Sequence, residues 1–301
     1  MTLGAIYIGA TIGAVFYGIT ILQTAIYYKQ YPDDSPLFRC AVGFLWILDT
    51  LHVAISTHAL YHYLVESFGN IPALSKIIWS FRLQLLINML IVVCVQVLYA
   101  VRIWKFGRNF HAVLPWFIFL FITASLAVGI YVTYDMYTVS SILDLPTLSI
   151  SIYAAFSTAA GADFAIAAAM CYYLHQGRLM APSFSITMKI IVGLMRLVVL
   201  SGLATSACSI LTLITYIVWP HSLIFVAISL ILPKLYINSL LMMLNARKEQ
   251  MRKDINECSA NDKVIVFAHT SSSGASGLAE TSIDTTLSVM ERGHQTNGGT
   301  E

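Results

Sequence analysis

Seven stretches of this chain are apolar over the length a helix needs to cross a bilayer, and polar or turn-forming segments separate them. The hydrocarbon core of a membrane is about 30 Å thick and a helix rises about 1.5 Å per residue, so one crossing takes roughly 20 residues. The pattern predicts helices over 4–27, 41–65, 77–103, 113–135, 149–174, 190–218 and 222–246. Between them stand Pro32-Asp33-Asp34, Gly69-Asn70, Lys105 to Ala112, Met136 to Leu148, His175 to Lys189, and the minimal turn Trp219-Pro220-His221. The run 190–246 is otherwise unbroken and too long for one crossing, so Pro220 divides it. The expected fold is all-α, a seven-helix transmembrane domain over residues 1–247. Residues 248–301 are polar and hold too little apolar side chain to offset the entropy of ordering, which predicts a disordered tail. Val264-Ile265-Val266-Phe267 is the apolar exception within it.

Composition sharpens this picture. Apolar residues make up 58% of the 301, charged residues 11%, and the mean hydropathy is +0.76. A soluble domain is typically about 45–50% apolar and about 25% charged. Lipid is the solvent that accepts such an excess, which excludes a soluble enzyme, a disordered protein, a disulfide scaffold and a nucleic-acid binder.

Charge sets the direction. Lys29, Arg39, Arg102, Lys105, Arg108, Arg178, Lys189, Arg247, Lys248, Arg252 and Lys253 fall on one side of the predicted spans, against Lys76 alone on the other. Basic residues stay on the cytoplasmic side, so the amino terminus is expected outside and the tail in the cytoplasm. Trp79, Trp104, Trp116 and Trp219 fall near span ends, the level an amphipathic ring prefers. No basic region precedes the first apolar run, and that run exceeds a cleavable signal core; it reads as a retained span. Cys40, Cys94, Cys171, Cys208 and Cys258 avoid the outer loops and form no CxxC pair, so they read as small buried hydrophobes without disulfide or metal.

Ionisable groups inside a membrane are costly and need a partner or a task. Asp49, Arg82, Asp163, Arg196 and Lys234 sit within the spans, with His52 beside them. Asp49, His52, Ser56, Ala59 and Tyr63 are spaced 3, 4, 3 and 4 apart, one helix stripe that must face the bundle interior; His58 and His62 lie on the other face. Lys234, Asn238, Leu241 and Asn245 form a second stripe. Pro233 lacks an N–H, frees the Ser229 carbonyl and is expected to kink the helix next to the lysine. Counted by depth, Lys234 reaches either Asp49 or Asp163, and one of the two is its expected partner. Arg82 and Arg196 lie near span ends, from which each is expected to snorkel to a headgroup. Gly9/Gly13, Ser157/Gly161/Ala165/Ala169 and Gly202/Ser206 offer small surfaces for close helix approach, and Ser201, Thr205, Cys208, Thr212 and Thr215 a mildly polar inner wall.

Three functional classes fit. A receptor-like or sensory protein is favoured, with a tail open to phosphorylation from Ser271 to Thr286. A transporter would use the buried Asp49/His52/Asp163/Lys234 set, with Asn238 on the same stripe as the lysine. An intramembrane hydrolase ranks last, because the histidines are poorly placed for a zinc triad. A seventh-span lysine invites a retinal Schiff base, yet span three carries no acid as counter-ion. No cofactor is implied. The expected partners are the bilayer, a small-molecule ligand and a cytoplasmic partner of the tail, and the expected location is the plasma membrane.

The residues also carry a resemblance. Lys234-x-Tyr236-x-Asn238-Ser239-x-Leu241-x-x-Leu244-Asn245-x-Arg247, with Gly161-Ala162-Asp163 upstream, resembles the C-terminal domain of a family of fungal, chiefly basidiomycete, seven-pass membrane proteins. Leu48-Asp49-Thr50-Leu51-His52, with His58 and Tyr61, and Tyr17-Gly18-Ile19-Thr20 are similar too. The likeness spans roughly residues 4–250, with the domain at about 161–247. It implies the seven-helix architecture and a fungal origin, and brings no activity, ligand or catalytic residue.

Overall fold

The computed structural model describes residues 3–74, 76–107, 113–139, 141, 147–180, 186–219 and 222–246. Its elements are α1 (Leu3–Gln30), α2 (Pro36–Tyr61) continued by a π-helical turn (His62–Glu66), the short α3 (Ile71–Leu74), α4 (Trp79–Gly107), α5 (Val113–Thr138), α6 (Ser149–Met180) and α7 (Ile186–Val218). The last is α8 (Ile224–Ala246). Among the described residues there is no strand, only an isolated bridge between Lys76 and Ser141. Six of these helices, α1, α2 with its π turn, α4, α5, α6 and α8, are long and apolar enough to cross a membrane, and the architecture is that of a multi-pass membrane protein. Within α7 the described apolar stretch is Gly202–Val218.

Most helices overrun their apolar cores, because a helix continues into the headgroup region until something stops it. Thus α2 begins at Pro36 and not at 41: proline suits the first turn, where its missing N–H has no intrahelical partner. The α1–α2 loop is pinned by Tyr27 OH on Asp34 Oδ2 (2.8 Å), Tyr28 OH on the Arg39 carbonyl (2.8 Å) and Arg39 Nη1 on the Pro32 carbonyl (2.7 Å). The expected break before α8 is present: α7 ends at Val218 and the Ser222 N–H bonds to the Trp219 carbonyl (2.9 Å). Pro220, His221, Arg247, Cys258 and the whole 248–301 tail lie outside the described residues, as do the side chains of Lys105, Arg178, Lys189, Arg196 and Ser201.

Burial identifies the central helix. The apolar window of α8 is 72% buried, against 17% in α1 and in α5. Its neighbours are read from contacts that climb along both partners. On α1, Gly9 meets Ala227, Phe16 bonds to Asn238 and Gln23 to Asn245. On α4, Asn88 bonds to Ser229 and Tyr99 to Ser239. Helices α1, α4 and α8 therefore run in the same direction.

Gly9 shows why a small residue is needed. A Cβ there would stand 2.6 Å from the Ala227 carbonyl oxygen and 2.9 Å from its Cα, backbone atoms that cannot rotate aside. Gly9→Ala should cost about 1–3 kcal/mol, read by thermal unfolding in detergent. Gly4→Ala, with nothing within 4 Å, should leave the midpoint unchanged.

Other expectations need correction. The stripe Ser157/Gly161/Ala165/Ala169 is not the close seam: Ser157 is exposed and a Cβ on Gly161 would meet nothing within 4 Å. The tight approach of α6 to α7 is instead at Gly202, where an added Cβ would stand 3.3 Å from Ala167 Cβ and 3.6 Å from the Asp163 carbonyl oxygen, a rotation of α6 that four-residue spacing alone does not determine. Arg82 has partners within the protein. Its Nη2 bonds to the Val139 carbonyl (2.8 Å) beyond the end of α5 and its guanidinium lies 5.5 Å from the Tyr137 ring, since unpaired carbonyls at a helix C-terminus attract a cation. Cys40 and Cys171 are exposed, not buried; a thiol is small and apolar enough to face lipid. The hydroxyls of Thr205, Thr212 and Thr215 bond within their own helix.

Candidate functional site

Two buried carboxylates hold α8 from opposite sides. Lys234 and Tyr236 are two residues apart, about 200° around the helix. Lys234 points to α1 and α2, where its Nζ bonds to Asp49 Oδ1 and to the Asp49 carbonyl (3.2 Å) and lies 5.5 Å from the Tyr17 ring centroid. Lysine and aspartate are 1% and 0% exposed. Of the two carboxylates within expected reach, the structure gives Asp49 to the lysine.

Asp163 is held by uncharged donors. Tyr236 OH bonds to Oδ2, and Gln96 Nε2 from α4 to Oδ1 (3.0 Å). One aspartate thus neutralises a cation and the other is solvated by an amide and a phenol. A buried ion retains its charge at tolerable cost only when such donors replace lost water.

The first predicted stripe is buried along its length, at Asp49, His52, Ser56, Ala59 and Tyr63. Among the described residues His52 has no hydrogen-bond partner on either ring nitrogen, although Ser56 Oγ bonds to its backbone carbonyl (2.6 Å). It lines a small cavity of about 30 Å³ with Ala10, Gly13, Ser56 and Lys234, room enough for a water molecule. His58 lies on the outer face as expected, its Nδ1 3.1 Å from Ser80 Oγ and its ring beside Trp79.

The second stripe faces α1. Asn238 Nδ2 donates to the Phe16 carbonyl (3.1 Å) and to the Lys234 carbonyl (2.9 Å), and Asn245 Nδ2 to the Gln23 carbonyl (2.9 Å). Partners and asparagines are each seven residues apart, two helical turns, so the asparagines fasten α8 to α1 in register. Asn238 is buried with Lys234 but belongs to this clamp.

Pro233 frees the Ser229 carbonyl, and Asn88 Nδ2 from α4 captures it (3.2 Å). Beside this contact lies a cavity of about 150 Å³ between α4, α5, α6 and α8. Its wall is almost wholly apolar: Phe81, Met89, Val132, Phe156 and Phe225 among others. A cavity of this size takes a benzene-sized molecule. Tyr236, Gln96 and Asn88 were not singled out by stripe spacing, although each is a polar residue inside an apolar run, which is the signal that marks them. Among the described residues no group of three His, Cys, Asp or Glu side chains stands close enough to hold a metal ion.

No curated protein and no solved structure matches the chain. Residues 159–249, which carry Asp163, Lys234, Tyr236 and Asn238 but neither Asp49 nor His52, match a family of unknown function, DUF6534.

Proposed function

We propose that this is a receptor-like or sensory seven-helix protein of the plasma membrane, with its amino terminus outside and its tail in the cytoplasm. The parallel course of α1, α4 and α8 supports an odd number of crossings, with α7 as the sixth. Its 33 residues extend roughly 50 Å, ample for a bilayer. The one-sided distribution of basic residues supports the orientation. The likeness to fungal seven-pass proteins supports a fungal origin.

The observation that carries the receptor reading is the apolar cavity against α8. A lipophilic molecule bound there touches the helix whose anchors are Asp49, Asp163 and the Asn238 clamp, so occupancy bears directly on how α8 is held. A ligand shifts such an arrangement only by its differential affinity for two states. The test is stimulation of cells with an organic extract of the spent growth medium. The reading predicts increased phosphorylation between Ser271 and Thr286, lost in Gly129→Val, whose side chain is crowded by Met89 at the cavity wall. Unchanged tail phosphorylation would contradict it.

One observation favours transport as a second reading: the unpartnered His52 beside Lys234 in its small cavity. That reading predicts proton flux into reconstituted vesicles that Asp49→Asn abolishes; the receptor reading predicts none above empty vesicles.

A further inference from the structure

The cavity between α4, α5, α6 and α8 carries four polar side chains on its wall, Asn88, Ser125, Thr133 and Ser229; the rest is hydrocarbon and thioether. Three of the four are already committed. Thr133 Oγ1 donates to the Gly129 carbonyl (2.8 Å) and Ser229 Oγ to the Val226 carbonyl (2.7 Å), each within its own helix. Asn88 Nδ2 donates to the Ser229 carbonyl, and its Oδ1 is buried away from the cavity. Ser125, on α5, is 7% exposed, and a helical serine has the carbonyl four residues back as an acceptor of its own. One end of the cavity is covered by apolar side chains: Phe81, Met136, Ile152 and Phe225 line it and pack in one cluster with Tyr216 and Leu223.

We propose that the cavity takes a small free hydrocarbon, a molecule with no hydrogen-bonding group. This rests on the ligand-pocket reading above and adds the ligand's chemical class. The volume fits a molecule of benzene size, roughly six to ten heavy atoms. A membrane acyl chain is longer than that space and stays tied to its headgroup. A hydroxyl or carbonyl on the guest would leave water for a wall whose polar groups are spent, at the full cost of its desolvation. A hydrocarbon carries no such cost and arrives already dissolved in the bilayer.

Toluene and phenol test this, since they share size and shape and differ by a methyl against a hydroxyl. The experiment is equilibrium dialysis of each radiolabelled probe against the full-length protein in nanodiscs. Empty nanodiscs of the same lipid are subtracted, and affinities are referred to the free aqueous concentration. Toluene should bind on the order of a hundredfold more tightly than phenol, or better, the penalty for an unpaired hydroxyl in an alkane-like site. Ser125→Ala should leave that ratio unchanged. Gly129→Val should abolish toluene binding: a Cβ at 129 would stand 2.6 Å from Met89 Cγ, crowding that side chain on the cavity wall. Ala159→Leu, which fills the cavity from α6, should do the same, and it decides the point if Gly129→Val fails to fold. Phenol within about tenfold of toluene, the worth of one good hydrogen bond, or a ratio that rises in Ser125→Ala, overturns the hydrocarbon assignment. If that binding is still lost in the filled variants, the pocket reading stands. No binding of either probe above empty nanodiscs, or binding that survives both filled variants, overturns both.

Discussion

Lys234→Met should cost about 3–5 kcal/mol of stability, the penalty for leaving one member of a buried ion pair without the other. The ammonium is the sole side-chain cation seen on Asp49 among the described residues, and it also holds the Asp49 backbone carbonyl. Both residues are almost fully buried, so bulk water does not compensate either charge. Asp49→Asn alone should also destabilise, because it strands the lysine. The double variant Lys234→Met with Asp49→Asn should recover most of the loss, since it leaves no uncompensated charge. Thermal unfolding in detergent, with gel filtration to confirm monodispersity, reads all four members of the cycle. Additive losses would mean that the pair is not coupled as described.

Tyr236→Phe should cost about 1.5–3 kcal/mol, the range for a hydrogen bond to a charged group. Asp163 then keeps the Gln96 amide and the neighbouring Thr205 hydroxyl, at 3% exposure. Combining Tyr236→Phe with Asp163→Asn should cost clearly less than the sum of the two single changes, because a neutral amide no longer needs the phenol. Gln96 can turn to meet it, having an unpartnered Oε1 of its own. The same unfolding assay checks this, and strict additivity would show that Tyr236 and Asp163 act independently.

Much of this was legible in the sequence where periodicity and depth decide the outcome. The spacing from Asp49 to Tyr63 marked a buried stripe, depth placed Lys234 within reach of Asp49, and Pro233 identified Ser229 as a carbonyl in need of a donor. What the sequence leaves open is azimuth. Depth alone does not distinguish Asp49 from Asp163, because that choice depends on how α8 is turned between α2 and α6. The same rotation puts Gly202, and not Gly161, at the α6–α7 seam. The partner of Arg82 is not legible for a related reason: the Val139 carbonyl beyond α5 is near it in space but 57 residues away in sequence. Nothing in the composition of the π turn His62–Glu66 separates it from α-helix; a contact of 2.6 Å between His62 Nδ1 and Glu66 Oε2 spans it.

The central claim is that lipid surrounds the bundle and that α8 lies inside it, gripped by carboxylates on two sides. A lipid-phase carbene reagent, photoactivated in vesicles holding the protein and mapped by mass spectrometry, tests this most directly. Dense labelling is predicted on α1 and α5, at Ile8, Val15, Leu22, Trp116 and Leu120, whose side chains are more than half exposed. Lys234 to Leu241 should remain unlabelled. Labelling of that segment as heavy as on α1 would contradict the account.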